Sequence, residues 1–165
     1  MMLRDLNRLE QPAFVDAIGS AFEHSPWVAE RAWARRPFRT VSDLHAAMVA
    51  AMAAASREEQ LALLQAHPDL GSRLAMSEAS TGEQASAGFD RLPPHDLDRL
   101  RHLNAVYREQ FGFPFLLAVK GATAEQVLES LSRRVHSTPD VEWAEALLQV
   151  ARIARVRLEQ QLPSD

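Results

Sequence analysis

The sequence predicts an all-α protein of about seven or eight helices around one core. Three observations carry that expectation. Apolar residues recur at the i, i+3, i+4 spacing of a helix face along most of the chain. Three Ser/Thr-x-x-Glu/Gln patterns, at Ser56–Glu59, Ser80–Glu83 and Thr123–Gln126, mark helix starts. No run alternates apolar and polar residues long enough to demand a sheet. At 165 residues the chain is long enough to bury a core without staples, and it reads as one domain over 1–165.

The elements follow in order. Phe14, Ala17, Ile18, Ala21 and Phe22 share a face of the first major helix, with Pro12 in its first turn. Ser25 is placed to cap a shorter helix that starts at Pro26 and runs through Trp33. Thr40 or Ser42 starts an alanine-rich helix carrying Leu44, Met48 and Met52. Ser56 opens a helix with Leu61 and Leu64 that runs into His67, and Ser80 opens another through Phe89. Pro93-Pro94 introduces the longest pattern, Leu97, Leu100, Asn104, Tyr107 and Phe111, with Gly112 as a left-handed stop. Asn104 interrupts an apolar stripe, so burial and a hydrogen bond are expected for it. Phe113 to Gly121 is apolar and too short for a typical helix, which predicts an extended or irregular buried segment. Thr123 starts a helix to about His136. Thr138-Pro139 begins the last one, with the stripe Ala144, Leu147, Leu148, Ala151, Ala154 and Leu158.

Composition narrows the function. The formal net charge of -4 is modest and dispersed, so no broad basic surface for nucleic acid is expected. The absence of cysteine excludes disulfides, thiolate catalysis and cysteine-held metal sites, and it fits a cytoplasmic location. No signal peptide, peroxisomal tripeptide or membrane span is expected from the pattern. The six histidines show no His-x-x-x-His spacing, so no metal is expected. Neither a Gly-x-Ser-x-Gly elbow nor a glycine-rich phosphate loop is present.

What remains is the cluster around His67. Pro68 fixes its own φ and disfavours helix for the residue before it, which leaves the imidazole on a rigid shoulder at a helix end. Ser80, Glu83 and Gln84 follow shortly after. A helix-end histidine is often only a satisfied imidazole, and a capping box explains Ser80 and Glu83 without chemistry. The two readings are compatible, because a helix amino terminus attracts anionic and carbonyl-bearing ligands. The backbone of the Phe113–Gly121 segment likewise serves either a structural loop or a small polar ligand.

Five stretches together resemble the ureidoimidazoline decarboxylase family, which acts on 2-oxo-4-hydroxy-4-carboxy-5-ureidoimidazoline between urate and allantoin. They are Ser25-Pro26-Trp27, Arg36-Pro37-Phe38, His67-Pro68-Asp69-Leu70, Ser80-x-x-Glu83-Gln84-x-x-Ala87-Gly88, and the run from Asn104 through Tyr107 to Phe111-Gly112-Phe113-Pro114-Phe115. The Arg155-Val156-Arg157-Leu158 end of the last helix also fits. The resemblance covers nearly the whole chain. It implies an all-α, cofactor-free carboxy-lyase that forms a homodimer and yields (S)-allantoin and carbon dioxide. It matches the catalytic histidine to His67; Glu83 is the second catalytic candidate, either orienting the ureido N–H groups or helping to move the proton. It matches substrate-binding positions to Pro68, to Ser80, Thr81, Gly82, Glu83 and Gln84, and to Phe115, Leu116, Leu117, Ala118 and Val119. The chain departs from the pattern in a shorter interval between His67 and Ser80 than in animal relatives, in Phe89 where leucine is commoner, and in Lys120 where some relatives carry arginine. Two other readings compete: a cofactor-free hydrolase of a ureido compound, and a non-catalytic helical interaction module.

Overall fold

Local signals in the sequence account for most helix boundaries in the computed structural model, which describes residues 1–68, 93–119 and 123–163. Among these, eight α-helices occur and no strand: α1 (Leu3–Leu6), α2 (Gln11–Ile18), α3 (Pro26–Trp33), α4 (Val41–Ala53), α5 (Arg57–Ala66), α6 (Pro94–Phe111), α7 (Ala124–Arg134) and α8 (Pro139–Gln161). The fold class is therefore all-α. A turn of 3-10 helix, Gly19–Ala21, continues α2. Contacts group the chain into two units, one of Met1–Ala66 with Val150–Asp165 and one of His67–Gln149.

In the first unit, α2 to α5 and the carboxyl half of α8 bury an apolar core that includes Phe14, Ile18, Phe22, Val28, Leu44, Met48, Leu63, Leu64, Ala154 and Leu158. Two caps anchor it. Thr40 Oγ1 accepts from Asp43 N–H at 3.0 Å and starts α4. Ser56 and Glu59 form the expected reciprocal box, each side chain accepting the other's backbone N–H at 3.1 Å. The helix running into His67 thus has a fixed start. Ser25 behaves differently from expectation. It precedes α3, but its hydroxyl donates to Glu23 C=O at 2.8 Å and makes no cap bond. A serine hydroxyl is donor and acceptor, and here the nearby carbonyl wins. Asn7 stitches the entry of α4 by exchanging two bonds with Phe38, Nδ2 to C=O at 2.9 Å and N–H to Oδ1 at 2.8 Å.

The second unit contains α6, α7 and the amino half of α8. Gly112 ends α6 at φ +81°, in the left-handed region, with its N–H donating to Arg108 C=O at 2.9 Å. The Thr123–Gln126 box starts α7. The expected stripe of α8 holds in its carboxyl half, where Ala151, Ala154 and Leu158 are buried, but not in its amino half. Ala144 and Leu148 are exposed, whereas Glu142, Ala146, Gln149 and Val150 are buried. Two polar residues therefore occupy core register, and both have specific partners.

Candidate functional site

His67 follows the last residue of α5 directly and is 4% exposed. Pro68 explains the ending: its ring permits no further helical hydrogen bond and disfavours helix at His67. Pro68 itself is exposed, so an imidazole buried at a helix end is followed by an apolar ring open to solvent.

The segment after Gly112 has the character expected of it. Phe113 to Val119 is neither helix nor strand. Phe113, Pro114, Phe115 and Leu116 are buried, and Leu117, Ala118 and Val119 are half-buried. Its apolar side chains sit in an aromatic cluster. The Tyr107 ring meets Phe115 edge-on at 5.4 Å and Phe113 at 6.0 Å, and Phe113 meets Trp143 at 5.7 Å. Such edge-to-face contacts add roughly 0.5–1.5 kcal/mol each beyond area burial.

A buried non-helical backbone needs polar partners, and side chains provide two of them. Arg134 Nη1 donates to Leu116 C=O at 2.8 Å. The Ala118 N–H donates to Gln149 Oε1 at 3.0 Å. Arg134 is itself fixed, its Nε donating to Glu142 Oε1 at 2.8 Å while its guanidinium lies 4.5 Å over the Phe115 ring. Tyr107 OH donates to the same Glu142 oxygen at 2.6 Å. Burial raises the Tyr107 pKa well above the ordinary phenol value, and the Glu142 carboxylate raises it further against the opposing pull of Arg134. Gln149 Nε2 donates to Glu145 at 2.9 Å, which fixes its amide so that the oxygen faces Ala118.

Of the residues singled out in the sequence, His67, Pro68 and Phe115 to Val119 all fall in the second unit. Ser80, Thr81, Gly82, Glu83 and Gln84 lie outside the described residues, as does Lys120. Arg157 belongs to the first unit, where Nη1 pairs with Glu23 at 2.7 Å and donates to Ser20 C=O at 3.2 Å. Asn104 is buried as expected, and its Oδ1 finds no hydrogen-bond partner among the described residues. Sequence reasoning passed over Arg134, Glu142 and Gln149. For Glu142 and Gln149 the one signal was spacing, since both share a helix face with buried Ala146.

A buried imidazole at a helix end and a non-helical backbone segment held by dedicated side chains are features from which a small-molecule site can be built. The comparisons make the class specific. A family model described as OHCU decarboxylase matches residues 7–159, and the chain belongs to that family of decarboxylases. It is 47% identical to the 2-oxo-4-hydroxy-4-carboxy-5-ureidoimidazoline decarboxylase of Haloferax volcanii over all of this chain and 98% of that one. It is 44% identical to the uric acid degradation bifunctional protein PucL of Bacillus subtilis, covering 93% of this chain and 31% of PucL. A crystal structure of (S)-allantoin synthase superposes with a TM-score of 0.80 at 36% identity, over 98% of this chain and 54% of that one.

Proposed function

We propose that this chain decarboxylates 2-oxo-4-hydroxy-4-carboxy-5-ureidoimidazoline to (S)-allantoin and carbon dioxide in urate breakdown, with His67 as its acid–base residue. The observation that carries the residue assignment is the burial of His67 at 4% exposure on a proline-ended helix. The family match and the names of the relatives support the substrate.

The substrate supplies its own electron sink. Its carboxylate leaves a carbon adjacent to a ring carbon–nitrogen double bond. As that bond to the carboxylate breaks, the electron pair forms a carbon–carbon double bond, and the ring nitrogen takes up electrons and a proton. The enol that results then gives up its hydroxyl proton and receives one on the ureido-bearing carbon, which fixes the product's handedness. The protein's work is to orient the ring and to govern these transfers. An imidazole both gives and accepts a proton near neutrality, which suits His67 to that task. Pro68 serves as an apolar wall, Glu83 as the second catalytic residue, and Ser80 to Gln84 with the Phe115–Val119 backbone as polar contacts. The match over residues 7–159 supports reading the whole chain as one functional domain; the cytoplasmic location rests on composition and the homodimer on the family resemblance. No helix among the described residues is long and apolar enough to cross a membrane.

The test generates the unstable substrate in place from urate and follows formation of one allantoin enantiomer. The wild-type chain accelerates it with release of carbon dioxide. His67→Ala abolishes that acceleration while circular dichroism retains the helical signal. Near-normal turnover in His67→Ala overturns the assignment, and release of ammonia in place of carbon dioxide overturns the reaction.

A further inference from the structure

We infer that Gln149 is a positioning residue for substrate recognition, acting through the backbone it holds. This rests on the reading that Phe115 to Val119 contact the substrate. Side-chain bonds to Leu116 C=O and Ala118 N–H have the i, i+2 spacing of an extended backbone, in which alternate residues turn their polar groups to the same edge. Arg134 and Gln149 therefore hold one edge and turn the N–H and C=O of Leu117 to the other. An adjacent donor and acceptor is the complement of a cyclic amide, which offers its own C=O beside N–H. Gln149 suits this work because it is itself restrained: 2% exposed, one amide end bonded to Glu145 and the other to Ala118. It never touches the ligand in this scheme. Its effect is to keep the reading edge from rotating before substrate arrives, a saving in ordering cost on binding.

The test compares two variants of the full chain with substrate generated in place. Gln149→Met keeps the volume and removes the acceptor for Ala118 N–H. The expected result is a KM about tenfold higher with kcat changed less than about threefold, the pattern of lost uniform binding. Combining Gln149→Glu with Glu145→Gln exchanges the two side chains, keeps their mutual hydrogen bond and returns an acceptor facing Ala118. It restores KM to within about threefold of wild type. An active Gln149→Met with unchanged KM overturns the inference alone, even if its thermal stability falls, because a merely structural residue behaves that way. Failure of the exchanged pair to lower KM also overturns it. Absence of turnover by the wild-type chain overturns the substrate reading and this inference together.

Discussion

Arg134 Nε donates to Glu142 Oε1 at 2.8 Å, with the two side chains only 3% and 2% exposed. Taking both charges out of water is costly, and hydrogen bonds to neighbouring groups offset that cost. Tyr107 OH donates to the carboxylate, and Leu116 C=O accepts from the guanidinium. The result is a polar knot inside the aromatic cluster, joining α6, α7, α8 and the segment after Gly112.

Removing one member of that knot is predicted to be severe. Glu142→Ala leaves the Arg134 charge buried without its counter-ion, a change that typically costs about 3–5 kcal/mol. Combining Arg134→Met with Glu142→Met removes both charges and recovers part of that loss. Recovery stays incomplete, because Leu116 C=O and Tyr107 OH are then left without partners, at roughly 1–3 kcal/mol for each buried unsatisfied group. Urea denaturation of the single and double variants measures this. A single variant as stable as wild type would show that the pair contributes nothing.

Tyr107 is the chain's one tyrosine, so its ionisation can be followed without interference. In the unfolded chain it ionises at about pH 10, whereas burial raises it in the native state. Above that pH the unfolded state sheds a proton that the native state keeps. Stability is therefore fully present below about pH 10 and declines as pH rises beyond it. Tyrosinate absorbance is expected to rise only together with loss of the helical circular dichroism signal. A smooth rise at about pH 10 with helices intact would contradict the buried placement.

Much of the fold was legible because its signals are local. Ser56 with Glu59 and Thr123 with Gln126 close boxes within one helical turn, and Gly112 meets a purely backbone demand. Pro68 marks the helix end at His67 for the same reason. The buried face of the amino half of α8 was misread, while Ala151, Ala154 and Leu158 were read correctly, because apolar periodicity cannot register a polar residue whose partner is remote in sequence. Gln149 is buried for the sake of Ala118, and Glu142 for Arg134 and Tyr107. Nothing beside those residues in the chain announces either partner. Ser25 failed as a cap for a different reason: its position was right, but its hydroxyl donates to the nearby Glu23 C=O. The substrate was legible only through family resemblance, since spacing names residue types and chemistry but no ligand.

Gly112 offers a test of how far a backbone conformation alone governs the entry to the candidate site. At φ +81° it occupies a region that costs an L-residue roughly 1–2 kcal/mol. A Cβ built there meets no atom within 4 Å, so steric clash adds nothing and the cost is conformational. Gly112→Ala is therefore predicted to lower stability by about 1–2 kcal/mol, and Gly112→Asn by less, because asparagine tolerates the left-handed region better. Urea midpoints with unchanged slopes give the comparison. Equal losses for alanine and asparagine would point to a contact outside the backbone. No loss for either would mean that the turn after α6 does not depend on the left-handed conformation.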